Sequence, residues 1–145
     1  MVIREATLGD LHGVVMLILG MKQETPWKAV AFVPNYDHVQ AKVLSYLQQP
    51  QHRCWVADDR GILAGMCGVE ILTHRFVPDV PYMQEWALTV RPEYRGTGLA
   101  NRLWRTATEW GARMGAMGRV RGTPTAHGER TTFDFWGKET PCLSS

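Results

Sequence analysis

The stretch Leu88-Thr-Val-Arg-Pro-Glu-Tyr-Arg-Gly-Thr-Gly-Leu-Ala100 combines residue types that bind anions. Gly96 and Gly98 allow positive φ and close backbone approach. A helix beginning at Leu99 would present unpaired N–H groups and the positive end of its dipole to a ligand. A pyrophosphate fits such a turn. Two glycines can equally do no more than punctuate a strand-to-helix connection. The surroundings are more specific, because Arg95-Gly96-Thr97-Gly98-Leu99-Ala100 fits R-x-x-G-x-G/A and follows Val90-x-Pro92. A Walker loop would need Gly-Lys-Ser/Thr where this chain has Leu99-Ala100-Asn101, and a dinucleotide fingerprint would need a parallel βαβ start.

The hydrophobic periods predict the elements that must hold this turn. Val2 to Ala6 reads as a short edge-like strand. Thr7 with Asp10 resembles a capping box with Asp in place of Glu, so a helix should start near Leu8. Leu8, Leu11, Val15, Ile18 and Leu19 recur at helical spacing to about Met21. After a loop with Pro26, Trp27 and Pro34, Asp37 with Gln40 repeats the cap signal. Val39, Val43, Leu44 and Leu47 then form one face of a second helix that ends before Pro50.

The period next becomes that of strands. Cys54 to Ala57, a turn at Asp58-Asp59-Arg60-Gly61, and Ile62 to Thr73 read as a hairpin, followed by the loop His74 to Pro81 and a strand from Tyr82 to Val90. In that strand Trp86, Leu88 and Val90 alternate with Glu85, Ala87 and Thr89, which predicts one core face and one face open to function. Leu99, Leu103, Ala107, Trp110 and Met114 mark a helix stopping at Gly115, and Met117 to Thr123 a short strand. Residues 124–145, rich in Thr, Gly and Ser, read as an irregular tail with one weak helix around Thr131 to Lys138. No repeat or linker interrupts residues 1–145, which read as one α/β domain of order β-α-α-β-β-β-α-β-(α).

With 145 residues, 45% hydrophobic and 21% charged, the chain can build one core, which excludes a disordered or collagen-like segment. Its longest apolar run, Gly13 to Met21, is too short for the roughly 20 residues of a bilayer span, and the start lacks signal-peptide order; a cytoplasmic protein without a membrane role is expected. Cys54, Cys67 and Cys142 have no metal spacing and read as reduced thiols, with no metal site expected. A net charge of +2 is too small to suggest nucleic-acid binding. It is uneven, however: residues 1–90 carry seven basic against nine acidic side chains, and residues 91–145 nine against five. A basic C-terminal part suits a phosphate-bearing partner, and equally a solvated face.

The Arg95 to Ala100 motif in this setting resembles the acyl-CoA-binding motif of the GCN5-related N-acetyltransferases (GNAT). The opening Ile3-Arg4-x-Ala6-Thr7-x-x-Asp10 is similar to that family's first strand and helix cap, and the element order matches from residue 2 to about 123. The resemblance implies a mixed, mostly antiparallel twisted sheet flanked by helices, with the C-terminal strands of the usual fold missing here. It also implies a fourth strand that splays from the fifth and pairs with the pantetheine arm of acetyl-CoA. Leu88 and Val90 would then supply main-chain contacts, and the amides of Arg95, Gly96, Thr97, Gly98, Leu99 and Ala100, with the Thr97 hydroxyl, would hold the pyrophosphate, assisted by Asn101 and Arg102.

Acetyl transfer to an amine needs a proton acceptor and a group to receive the leaving thiolate. Family members often place a carboxylate on the fourth strand, which makes Glu85 the candidate base and Glu70 the second choice; a cross-strand ion pair is the plain alternative for Glu85. Where the family often has a tyrosine, in a pattern like F-Y-x-K-x-G-F, this chain has Trp136, so Tyr82, His127, water or a backbone amide would have to serve. Trp27, Phe32, Tyr36, His74, Arg75 and Phe76 are acceptor-side candidates, of which Trp27, Tyr36 and Phe76 are preferred; such aromatics also pack as satellite core under loops. The expected function is acetyl-CoA-dependent N-acetylation of a primary amine on a small molecule, peptide or protein. The alternative is a catalytically inactive binding or structural subunit of the same fold within a larger assembly, suggested by Trp136, by the short C-terminal part and by the six Trp and seven Met available for an interface; a homo-oligomer or an assembly partner is the partner expected besides acetyl-CoA and the amine.

Overall fold

The structure, a computed structural model, describes residues 1–22, 35–73, 76, 80–125 and 128–136. In chain order the elements are β1 (Val2–Glu5), α1 (Leu11–Lys22), α2 (Tyr36–Leu47), β2 (His52–Asp59), β3 (Ile62–Thr73), β4 (Pro81–Val90), α3 (Leu99–Arg113), β5 (Gly118–Thr125) and β6 (Gly128–Phe135). The strands form one six-stranded sheet in sequence order, antiparallel throughout except where β4 meets β5 in parallel. Among the described residues no helix is long and apolar enough to cross a membrane.

Local chemistry accounts for the element ends. Asp10 accepts the Thr7 backbone N–H at 2.7 Å, the capping-box contact read from the sequence, but it closes a short 3-10 turn (Leu8–Asp10) and α1 itself begins at Leu11. Leu8 is therefore outside the apolar stripe, 65% exposed. The same carboxylate takes two bonds from the Arg4 guanidinium, at 2.7 and 2.9 Å, and Arg4 holds the Asp10 pKa down at about 2. The cap of α2 is not Asp37 but Asn35, whose side chain accepts from the N–H groups of Asp37 and His38. Two neighbouring Asx residues compete for this role, and the one preceding the first helical residue wins.

Both faces of the sheet are covered. Val14, Val15 and Ile18 of α1 with Val39 and Val43 of α2 pack on Cys54, Val56, Met66 and Ala87. On the other face Leu99, Leu103, Trp104, Ala107 and Trp110 of α3 pack on Trp55, Ala57, Cys67, Val69, Met83 and Val90. Burying one such aliphatic side chain contributes about 1.5–3 kcal/mol, so each layer alone can anchor its helix. The expected open face of β4 is thus corrected, because α1 and α2 lie against it. Met114, expected on the α3 stripe, is the C-cap and 50% exposed.

The cause of the β4 difference is a bulge. Gly68 stands opposite Ala87 and Val69 opposite Glu85, so Trp86 is an extra residue in β4. Its ring lies over Gly68 on the α1/α2 side, and its indole N–H donates to the Val69 carbonyl at 3.2 Å. A Cβ at Gly68 would overlap the Trp86 ring. Gly68→Ala should therefore destabilise the protein by about 1–3 kcal/mol, the usual range for overpacking, and lower the melting temperature by several degrees. An unchanged melting temperature would mean that the indole moves off Gly68 freely.

The C-terminal reading needs the largest correction. Residues 128–135, which the sequence predicts to be irregular tail with a weak helix, form β6, which pairs antiparallel with β5 from Gly118↔Phe135 to Thr125↔Gly128. Thr131, Thr132, Phe133 and Phe135 are β-branched or aromatic and favour a pleated strand once β5 offers a partner. Among the described residues the order ends in a strand, β-α-α-β-β-β-α-β-β, so at least one C-terminal strand expected to be missing is present.

Candidate functional site

The turn after β4 is built as a hub of short hydrogen bonds. The Arg91 N–H reaches the Ala64 carbonyl at 2.8 Å and its Nε donates to the Leu63 carbonyl at 2.7 Å, tying the end of β4 to β3. Pro92–Tyr94 make one 3-10 turn. Gly96 and Gly98 then take φ of 77° and 80°, the left-handed region that a Cβ disfavours. A Cβ at either would meet nothing within 4 Å, so packing does not demand glycine there and the space before the helix is open.

Gly98 is the N-cap of α3 and has no side chain to accept the first helical N–H groups. The first intrahelical bond runs from Arg102 N–H to the Gly98 carbonyl at 3.1 Å, which leaves the N–H groups of Leu99, Ala100 and Asn101 ahead of it. No acidic residue stands in the first turn to offset the dipole, while Arg113 lies in the last. The exposed Arg95 and Arg102 add positive charge. This arrangement fits a phosphate group: a donor-rich helix end, no competing carboxylate in its first turn, and two glycines facing open space.

Not every expected contact takes the expected form. The Thr97 hydroxyl donates to the Tyr94 carbonyl at 2.6 Å, so the donor this residue retains for an anion is its backbone N–H. Arg95 Nε donates to the Val90 carbonyl at 3.1 Å, fixing the base of that side chain. Leu99 is buried and serves the core with its side chain; Asn101 is exposed. Leu88 and Val90 also direct their side chains to the α3 face, so main chain is what they can offer a ligand.

Beside this loop lies a wedge. The described pairing between β4 and β5 consists of Met83↔Arg119 and Gln84↔Val120, reinforced by Met117 N–H to the Pro81 carbonyl at 2.8 Å. Beyond Gln84 the strands part, and Glu85 is the first β4 residue past the closed end. The Trp86 bulge sets Glu85 opposite Val69, a residue of the α3-side core, and cross-strand partners share a face. Simple alternation had put Glu85 opposite in sense to Leu88 and Val90; the bulge brings it to their face, and its Oε2 is screened from solvent.

Glu70 lies on the other face, in the row His52↔Glu70↔Gln84. Its Oε2 is 3.3 Å from His52 Nε2, and His52 is stacked on Tyr46 with ring centroids 4.4 Å apart. Burial pushes the His52 pKa down and favours the neutral ring, against the opposing pull of Glu70. Tyr36 is half-buried, its hydroxyl 2.7 Å from His12 Nδ1, which binds the start of α2 to α1. Phe76 is 82% exposed. Trp27, Phe32, His74, Arg75 and His127 lie outside the described residues. Trp136 sits at the closed end of the wedge, its indole donating to the Ala116 carbonyl at 2.9 Å. It is a packing residue there, away from the open part of β4.

Sequence reasoning missed two features of the site. One is Tyr94, whose hydroxyl donates to Asp59 Oδ2 at 2.7 Å; that carboxylate pushes the tyrosine pKa up. The other is the bulge, for which a lone glycine inside the long strand β3, Gly68, was the available signal. Among the described residues no group of three His, Cys, Asp or Glu could hold a metal.

Comparison with known proteins agrees with this geometry. The model of the acetyltransferase (GNAT) family matches residues 22–131. An acetyltransferase from Vibrio fischeri superposes with a TM-score of 0.67 at 20% identity, covering 82% of this chain and 93% of the other. The aminoglycoside antibiotic 6'-N-acetyltransferase AAC(6')-IG from Acinetobacter haemolyticus gives 0.64 at 18%, covering 82% and 77%. AAC(6')-Iy, solved in complex with the bisubstrate analog CoA-S-monomethyl-acetylneamine, gives 0.68 at 20%, covering 86% and 80%. Among curated proteins none matches the sequence.

Proposed function

Because the chain belongs to the GNAT family of acetyltransferases, we propose that it transfers the acetyl group of acetyl-CoA to a primary amine of a small molecule, peptide or protein. The observation that carries this reading is the uncapped start of α3 behind Gly96 and Gly98, set directly beside the parting of β4 and β5. The Arg95 N–H is taken up by the Pro92 carbonyl at 3.2 Å, so of the expected run Arg95 to Ala100 the amides from Gly96 to Ala100, assisted by Asn101, would hold the pyrophosphate, and the β4 backbone from Glu85 to Val90 would run along the extended arm. Acetyl-CoA supplies an acyl group activated as a thioester: attack by a neutral amine would form the amide C–N bond and break the C–S bond, and CoA would leave as a thiolate that takes up one proton, from the amine or from solvent.

The chain's own contribution is to deliver that amine neutral. Glu85, half-buried at the apex of the wedge with its Oε2 screened from solvent, would take the proton directly or through one water. Glu70, on the opposite face and already engaged with His52, is the second choice. Trp136, its indole donating to the Ala116 carbonyl at the closed end, offers no hydroxyl to the leaving thiolate, and an inactive subunit of the same fold is the second reading. Calorimetric titration with acetyl-CoA should show one site, and no binding at millimolar ligand would defeat the proposal. Thiol release is then measured against a panel of amines, aminoglycosides among them because a structural neighbour acts on one. Release above hydrolysis with any amine separates catalysis from binding alone.

A further inference from the structure

The turn between β2 and β3 carries adjacent carboxylates that point to different parts of the molecule. Asp58 Oδ2 accepts from Arg4 at 3.2 and 3.3 Å, and its Oδ1 accepts the Gly61 N–H at 2.7 Å, so it serves β1 and the turn itself. Asp59 instead accepts the Tyr94 hydroxyl, 35 residues away in sequence. Tyr94 is half-buried, packs against the α3-side core, and through its carbonyl receives the Thr97 hydroxyl at 2.6 Å. Thr97 is the residue between the two glycines with positive φ. Gly96 and Gly98 give that backbone little stiffness of its own, because glycine loses more conformational freedom on ordering than any other residue. Its shape must come from what it is tied to.

We infer that the Asp59–Tyr94 hydrogen bond is a pin that pre-forms the anion-binding turn, making Asp59 and Tyr94 positioning residues for acetyl-CoA. This rests on the acetyltransferase reading above. The chain of support runs from the β2–β3 turn through the Tyr94 ring to its carbonyl, then through the Thr97 side chain to the backbone between the glycines. A turn held in its bound shape has less disorder to lose on binding, and the gain shows as affinity. Neither residue needs to touch the ligand, and neither is required for the proton transfer.

The experiment measures acetyl-CoA binding by calorimetry, together with KM for each substrate and kcat. Tyr94→Phe removes only the hydroxyl, and acetyl-CoA affinity should fall roughly ten- to a hundredfold, the loss expected for one hydrogen bond to a charged acceptor. The KM for acetyl-CoA should rise in parallel, with kcat at saturating acetyl-CoA and KM for the amine unchanged. Asp59→Ala should reproduce this, Asp59→Asn should restore most of the affinity by keeping an acceptor oxygen, and the double variant should be no worse than either single one. Asp58→Ala, which loosens the same turn on the Arg4 side, should lower the melting temperature and leave affinity alone. If the unmodified protein binds acetyl-CoA and both Tyr94→Phe and Asp59→Ala bind it equally well, the pin is refuted and the acetyltransferase reading stands. If Asp58→Ala weakens binding as much as Asp59→Ala, general loosening of the turn explains the effect and the pin is again refuted. Failure of the unmodified protein to bind removes the acetyltransferase reading first, and the inference with it.

Discussion

Gly98→Val should weaken acetyl-CoA binding a hundredfold or more while leaving the fold in place. At φ of 80° a β-branched residue is strained by about 1–3 kcal/mol, so the turn would shift away from the left-handed region. Its branched side chain would also occupy the open space where the phosphates are expected, since a Cβ there meets no protein atom within 4 Å. Loss of two charge-assisted contacts to helix N–H groups, at about 1.5–3 kcal/mol each, corresponds to a hundredfold or more in affinity. The core is untouched, because Gly98 lies outside it, and the melting temperature should drop only by the local strain. Unchanged affinity in calorimetry would show that the pyrophosphate sits elsewhere, and the assignment of Arg95 to Ala100 would fall with it.

Glu85→Gln tests the chemical step alone. The amide preserves shape and removes the proton acceptor, so acetyl-CoA affinity should hold while turnover at neutral pH falls by about a hundredfold or more. The pH dependence has a definite sign. As pH rises more of the free amine is already neutral, so the deficit of the variant relative to the unmodified enzyme should shrink. Full activity of Glu85→Gln at neutral pH would move the role to Glu70 or to water, and Glu70→Gln then distinguishes these. A deficit that stays constant up to the pKa of the amine would mean that Glu85 positions a reactant rather than accepting its proton.

What could be read in advance divides along the range of the forces involved. The glycine turn was legible because positive φ and an uncapped helix start are local requirements, written into Arg95 to Ala100. The α3 stripe was legible for the same reason: Leu99, Leu103, Ala107 and Trp110 are buried as their spacing predicts. The face that Glu85 occupies was not, because it depends on one extra residue in the pairing of β4 with β3, and Trp86 chooses its side only when Gly68 stands across from it. β6 was hidden because Thr and Gly serve loops and strands alike, and a strand of them is stable only against β5. The Tyr94–Asp59 contact joins residues distant in sequence that no period relates; it exists only once the hairpin and the β4 turn share one end of the sheet.

The order of strands has a consequence for self-association. A strand edge with unpaired N–H and C=O groups at the rim of a sheet invites other chains to add to it. Among the described residues the rims are β1, only four residues long, and β6, whose sequence carries Glu129, Arg130 and Asp134. The longer run that lacks described pairing with β5, from Glu85 to Val90, lies inside the strand order instead, where β4 and β5 diverge. On the acetyltransferase reading, the backbone that would take an added strand is thus kept between two strands of the sheet and away from its border, where a single extended chain could lie beside it but a neighbouring sheet could not.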